Sequence, residues 1–250
     1  MRTILVTGGT GTLGRPTVQR LRDAGHDVRV LSRNRRPGLL TGDLSTGQGI
    51  KEAVTGVDTV VHLATSVGRR DITQAEHLVE SVRLCGVEHL IAMSIVGIDE
   101  IPLSYYRYKL ETERLISQSS IPYSVLRATQ FHNLIDRVFS AQRFLPLLLA
   151  PSVKLQPIAV EDIADRLAEL ATAQPAGRVP DIGGPEQRSV PDLARAWKRA
   201  ADASRPVVPL RLPGKTFRAY ASGAAMPTGT PYGRQTFEDF LTKRFPAEDR

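Results

Sequence analysis

The sequence predicts an α/β fold, a parallel sheet covered by helices on both faces. Three observations predict it. Strand-length apolar runs alternate with amphipathic stretches of helix length, a glycine-punctuated loop joins the first run to the first helix, and 250 residues suffice for one domain with a sizeable core.

The first strand is Thr3-Ile-Leu-Val-Thr7, and the helix after it runs to Ala24. Pro16 falls in that helix's first turn, where a missing N–H is harmless, and Gly25 stands just past its end, where a left-handed residue is wanted. Further strands are expected at Asp27–Ser32, Thr59–Leu63, His89–Met93 and Tyr123–Arg127, with a short one at Leu39–Asp43 that contains a glycine. Helices are expected from about Thr73 to Cys85 and from Ser104 to Ser117. The second half is less regular. Glu161–Ala171 and Val190–Ala201 read as helices, whereas Leu210–Pro231, rich in Gly, Pro and small residues, reads as loop.

Composition excludes several classes. The formal charge of +7 comes mostly from arginines scattered along the chain, so it implies a solvated surface and no nucleic-acid partner. One cysteine, Cys85, excludes an internal disulfide and is expected to be a small buried apolar side chain in a reducing compartment. The five histidines show no spacing with Cys or carboxylates that would make a zinc site, so no metal is expected. The start does not resemble a secretory signal, and the longest apolar stretch, Phe144–Pro151, is too short to span a bilayer; a cytoplasmic protein without membrane association is expected.

After the first strand comes Thr7-Gly8-Gly9-Thr10-Gly11-Thr12-Leu13-Gly14 and then a helix, with Gly8, Gly11 and Gly14 at intervals of three. A chain that turns sharply off a strand, admits a diphosphate to its backbone and packs a helix closely on the sheet needs this arrangement, and the helix N-terminus adds free N–H groups and positive potential. A preference for NAD would place an acid about twenty residues on. Here the stretch is Ser32-Arg33-Asn34-Arg35-Arg36, with no acid between Asp27 and Asp43. A guanidinium fork grips a ribose 2′-phosphate that a carboxylate would repel. NADP(H) is therefore expected over NAD(H), with Arg33 the first contact, Arg36 the second, Arg35 the third, and Ser32 helping through its hydroxyl. Residues 1–130 are read as the dinucleotide-binding core and 131–250 as a substrate-pocket portion with elements returning to that core, the whole being one structural domain.

With "VTGGTGTLG", "SRNRRPG", "GDL", "VVHLAT", "YYRYK" and "LRATQFHNL" in this order, the chain resembles the atypical short-chain dehydrogenase/reductases, especially the NmrA-like and NAD(P)-binding oxidoreductases, over roughly residues 1–170. The resemblance implies a doubly wound, Rossmann-type sheet with a small irregular C-terminal substrate-binding portion. It implies that Gly8, Thr10, Gly11, Thr12, Leu13 and Gly14 line the phosphates and that Asp43 and Leu44 lie beside the adenine. Ala64, Thr65, Gln130 and Phe131 would then border the nicotinamide. On the residues alone, Asp43 reads equally as a turn or cap, and His62 and His132 read as packing residues.

Tyr105 and Lys109, four positions apart, share a helix face, and Tyr106 is expected to point elsewhere. Alone, the pair reads either as proton-transfer chemistry or as aromatic residues beside a solvated lysine. In the family resembled, the tyrosine passes a proton to or from the substrate oxygen while the lysine binds the nicotinamide ribose and lowers the phenol's pKa. The family's serine would be Ser94, with Ile95 where a second serine commonly stands. The expected function is NADPH-dependent reduction of a small, fairly apolar carbonyl, enone or quinone-like compound, as monomer or homodimer. Leu134, Phe139, Phe144, Leu147–Leu149, Phe217 and Tyr220 are candidate pocket walls or core. The alternatives are a non-catalytic NADP(H)-binding redox sensor and a sugar-nucleotide epimerase or dehydratase.

Overall fold

The computed structural model describes residues 1–246; the last four positions of the expected substrate-pocket portion, 247–250, lie outside the described residues. Its first half alternates strand and helix: β1 Thr3–Thr7, α1 Gly14–Asp23, β2 Asp27–Ser32, β3 Leu40–Thr41, α2 Ile50–Val54, β4 Thr59–His62, α3 Arg70–Leu84, β5 His89–Ile95, α4 Ser104–Ser117 and β6 Tyr123–Ala128. The second half adds α5 His132–Ser140, β7 Leu148–Pro151, β8 Lys154–Leu155, α6 Val160–Thr172, β9 Gly177–Arg178, β10 Arg188–Ser189, α7 Val190–Ala200, β11 Val207–Leu210, α8 Lys215–Ala221 and α9 Phe237–Arg244.

The main sheet has seven strands in the order β3-β2-β1-β4-β5-β6-β9, every pair parallel. This is the doubly wound, Rossmann-type order, in which the winding reverses between β1 and β4 and opens a crevice at the strands' carboxyl ends. The strands read as continuous apolar runs because both faces are buried. Ile4 and Val6 face one core with Val18 and Leu21 of α1 and Ile163 and Leu167 of α6, while Leu5 between them faces the other with Ile50, Leu78 and Ile116. Residues beyond 131 thus contribute α6 to one layer and β9 to the sheet edge. The rest gather in a third core, where Phe139, Trp197, Phe237 and Leu241 pack beside Tyr106.

Three local expectations change. The strand expected at Leu39–Asp43 shrinks to Leu40–Thr41: the Gly42 amide still bonds the Ser32 carbonyl of β2, but the Asp43 amide turns away to the Gln48 carbonyl. The stretch read as loop at Leu210–Pro231 contains α8, a short helix with no fully buried residue, whose Ala219 and Tyr220 pack only partly on the third core. Cys85 is half-buried at the end of α3, its sulfur 3.8 Å from the Lys51 carbonyl, because a C-terminal helix residue reaches the surface there.

Candidate functional site

A cleft of about 880 Å³ opens at the carboxyl ends of β1, β2, β4, β5 and β6. At its base the chain leaves β1 through Gly8, and the Gly11 amide donates to the Gly8 carbonyl at 2.9 Å. Gly14 opens α1, and a Cβ there would lie 2.1 Å from Gly8 O and 2.6 Å from Gly9 Cα. Only glycine lets the helix start so close to the loop, and Thr12, Leu13 and Gly14 at that start line the cleft.

Gly8, Thr10, Gly11, Thr12, Leu13, Gly14, Ser32, Arg33, Asp43, Leu44, Ala64, Thr65, Ser94, Tyr105, Lys109, Gln130 and Phe131 all line this cleft. Asn34 lines it too, whereas Arg35 and Arg36 are not on its wall. Asp43 is also a turn residue, its carboxylate accepting from the Ser45 amide at 2.8 Å. Of the apolar candidates, Leu134 and Tyr220 reach the cleft. Phe139 is fully buried against Trp197, and Phe144 is exposed under the Arg143 guanidinium.

Helix α4 begins at Ser104, just after Pro102 and the extended Leu103. Glu113 pins it to β6: its carboxylate accepts from the buried Arg127 guanidinium at 2.6 and 2.8 Å. Tyr105 and Lys109 share the cleft face as expected. Tyr106 also reaches the cleft, its hydroxyl 3.2 Å from that of Tyr220. Successive helix positions turn by about 100°, so Lys109 falls angularly between residues 105 and 106, and a face that shows the lysine shows part of both tyrosines. Tyr220 arrives because the chain after α8 packs on the end of β5. A Cβ on Gly97 would lie 2.2 Å from Ala224 O, and Gly97 has φ +81°.

The polar groups around Tyr105 form a chain. Its hydroxyl lies 3.2 Å from Thr65 Oγ1, and Thr65 Oγ1 donates to Asp71 Oδ2 at 2.6 Å. Asp71 Oδ1 accepts from the Ser66 amide at 2.5 Å and the Ser66 hydroxyl at 2.6 Å. Lys109 Nζ stands 3.9 Å from Asp71 Oδ2. Asp71, 3% exposed, was not singled out from the sequence, where the helix is expected only from about Thr73 and an acid before it reads as solvated; in the structure the helix begins at Arg70 and Asp71 falls in its first turn. The signal available was its position six residues after Thr65 at the β4 tip.

Burial shifts both chemical groups. It lowers the Lys109 ammonium from its usual range, with Asp71 and Glu113 opposing. It raises the Tyr105 phenol; the Thr65 hydrogen bond opposes, while Asp71 and Tyr106 raise it further. The expected lowering of the phenol is therefore reversed: a buried phenolate is poorly solvated, and the carboxylate beside the lysine offsets its positive field. His62, paired with Thr7 Oγ1 at 2.8 Å, and His132, paired with the Pro157 carbonyl at 3.0 Å, are buried packing residues held neutral.

Several buried polar atoms of the wall have no partner among the described residues: Ser94 Oγ, both ends of the Gln130 amide, and Gln74 Oε1. Such groups are ordinarily satisfied, so their gathering along one cleft marks where a polar ligand belongs. With the glycine turn at one end and the Ser32-Arg33 edge beyond it, the residues fit a nicotinamide dinucleotide. Among the described residues no group of His, Cys, Asp and Glu is arranged to hold a metal, and no helix is long and apolar enough to cross a membrane.

Comparison with known proteins agrees. The Photosystem II assembly factor Ycf39 of Cyanophora paradoxa is 31% identical over 147 residues, covering 51% of this chain and 45% of that protein. The chloroplastic divinyl chlorophyllide a 8-vinyl-reductase of Zea mays is 28% identical over 226 residues, covering 76% and 56%. The chain spans about half the length of the curated relatives it matches. In fold it is similar to the NADPH-dependent quinone oxidoreductase QOR2 of Escherichia coli complexed with NADPH, with TM-score 0.80, 19% identity, and 97% and 99% of the two chains covered. It is also similar to a nucleoside-diphosphate-sugar epimerase of Staphylococcus aureus, with TM-score 0.79, 20% identity, and 96% and 99% covered. At such identities these structures speak to the fold alone. A family model described as NAD(P)H-binding matches residues 8–174, the stretch holding the glycine turn, Asp71, Tyr105 and Lys109. The chain belongs to this NAD(P)H-binding family.

Proposed function

We propose that the protein is an NADPH-dependent reductase of a small, fairly apolar carbonyl, enone or quinone-like compound. The observation that carries this reading is the convergence of Tyr105, Thr65, Asp71 and Lys109 on one cleft wall beside the partnerless Ser94 and Gln130 groups. Gly8, Gly11 and Gly14, with Thr10, Thr12 and Leu13, would hold the diphosphate. Ser32 and Arg33 would hold the 2′-phosphate, Asp43 and Leu44 would flank the adenine, and Ala64, Thr65, Gln130, Phe131 and Lys109 would hold the nicotinamide side. The dinucleotide supplies a hydride when bound. Tyr105 gives a proton to the substrate oxygen, Ser94 hydrogen-bonds that oxygen, and the buried Lys109 places positive charge nearby as negative charge develops. Ile95, Leu103, Leu134 and Tyr220 exclude water, with the portion from 131 onward closing the substrate side. A quinone oxidoreductase among the proteins of similar fold and a vinyl reductase among the relatives support reduction of a conjugated acceptor.

The test is NADPH oxidation over a panel of carbonyls, enones and quinones. Tyr105→Phe is expected to lower kcat ~100-fold, the usual scale for a lost general acid. Unchanged rates in Tyr105→Phe and Lys109→Ala would overturn the reading. Ile95 at the cleft wall, in place of a second serine, favours the alternative of a redox-sensing NADP(H) binder. Tight NADP(H) binding with no turnover on any panel member would select it.

A further inference from the structure

We propose that Thr65 and Asp71 are a positioning pair for Tyr105: they aim its hydroxyl and keep the proton on it, so that the site is set for reduction and not for oxidation of an alcohol. The inference rests on the reading of Tyr105 as the proton donor.

The argument begins with Asp71. As a carboxylate it only accepts, and it receives the Ser66 amide, the Ser66 hydroxyl and the Thr65 hydroxyl. Thr65 has one hydroxyl proton, directed to Asp71 Oδ2 at 2.6 Å. In the 3.2 Å contact between Thr65 Oγ1 and the Tyr105 hydroxyl, Thr65 is left only lone pairs, so Tyr105 is the donor. A phenolate at Tyr105 would face those lone pairs with a carboxylate one atom behind them. The other groups facing Tyr105 do not reverse this. Lys109 lies on the same helix, its charge drawn to Asp71 at 3.9 Å, and Tyr106 and Tyr220 add a pair of neutral hydroxyls bonded to each other. Arg137 of α5 lines the cleft but is exposed. Burial and, after it, the Asp71 charge raise the phenol's pKa, while the Thr65 hydrogen bond acts the other way, so the proton is held by the carboxylate behind Thr65 and by the lack of solvent.

The consequence is directional. In reduction, a hydride adds to the carbonyl carbon, the π pair moves to oxygen, and that oxygen takes the Tyr105 proton; bulk water then reprotonates the phenolate. In the reverse reaction the phenolate must already exist to remove the alcohol proton, and Thr65 and Asp71 oppose it.

Asp71→Asn tests this. Its carbonyl oxygen can keep the Ser66 donors while its NH2 donates to Thr65, which turns the Thr65 proton toward Tyr105 and removes the negative charge behind it. Ultraviolet difference titration of tyrosinate in wild type and Asp71→Asn, each paired with the same protein carrying Tyr105→Phe, isolates the Tyr105 step. That step is expected to move down by about one pH unit or more, a tenfold rise in acidity. Oxidation of the alcohol product by oxidised dinucleotide should then begin at correspondingly lower pH. An unmoved Tyr105 step overturns the inference while leaving the proposed function intact. Undiminished reduction by Tyr105→Phe would instead remove the proposed function itself. Should Asp71→Asn not fold, Thr65→Val and Thr65→Ser decide: at saturating NADPH the valine is expected to lower forward kcat ~10-fold, and the serine to restore it. A valine variant as fast as wild type overturns the pairing.

Discussion

The Lys109 ammonium lies 3.9 Å from the Asp71 carboxylate, and both side chains are buried. Neither charge is comfortable alone at that depth. Lys109→Ala leaves a carboxylate held only by neutral donors, and Asp71→Asn leaves an ammonium without its counter-charge; removing one partner of a buried pair typically costs about 3–5 kcal/mol. The double variant removes both charges and is expected to lose less than the sum of the single losses by about 1 kcal/mol or more, as measured by urea unfolding. Strictly additive losses would show that the two groups do not sense each other.

Arg33→Asp tests cofactor choice. Arg33 and Ser32 line the cleft at the end of β2 with no carboxylate on the wall before Asp43. Replacing the guanidinium removes a charge-assisted bond of about 1.5–3 kcal/mol and adds repulsion, so the NADPH Kd should rise ~10- to 100-fold or more. The NADH Kd should stay nearly constant. Equal loss for both dinucleotides in a fluorescence titration would mean that Arg33 does not read the 2′-phosphate.

Gly14→Ala should behave oppositely. The added methyl would sit 2.1 Å from Gly8 O, and both contacts are backbone, so α1 must move away from the glycine turn. Overpacking of this kind costs about 1–3 kcal/mol of stability. Because the displaced amides serve the diphosphate common to both cofactors, NADPH and NADH binding should weaken together, ~10-fold or more. A selective loss of NADPH alone would contradict this.

How much of this was legible in the sequence depended on whether a residue announces its surroundings. The sheet strands were legible because a strand buried on both faces is an uninterrupted apolar run, as in Ile4-Leu5-Val6 and Leu90-Ile91-Ala92. The glycine turn was legible because close backbone approach has only one chemical solution. Helix α5 was passed over because its buried face includes His132 and Asp136, the latter accepting from Trp197 Nε1 at 2.7 Å, so the polar letters concealed a buried stripe. Helix α8 was passed over because it is seven residues long and its Ala219 and Tyr220 are only partly buried against the third core, too weak a stripe to stand out among the glycines and prolines around it. Asp71 shows the limit at the site itself. An acid in the first turn of a helix is ordinarily solvated, and only tertiary structure brings Thr65, Ser66 and Lys109 around this one.

The last prediction concerns acid. Burial is the largest cause that holds the His62 imidazole down at about 3 and those of His89 and His132 at about 4. In the unfolded chain the same groups titrate near their ordinary value of about 6.5. Between these limits the unfolded state binds protons that the folded state refuses, so stability rises with pH across the window and falls as pH drops from about 6.5 toward 4. Each histidine contributes up to about 1.4 kcal/mol per pH unit there, and nothing at neutrality and above. Carboxylates held low by partners, such as Asp239 at the Thr236 backbone, lose their stabilising effect in a lower window, below about 4. Unfolding free energy measured at pH 7 and pH 5 should therefore drop by several kcal/mol. His62→Asn, which keeps a polar partner for Thr7, should reduce that slope by about one proton's worth. A flat profile between the two pH values, or an unaltered slope in His62→Asn, would show that these imidazoles accept protons without leaving the core.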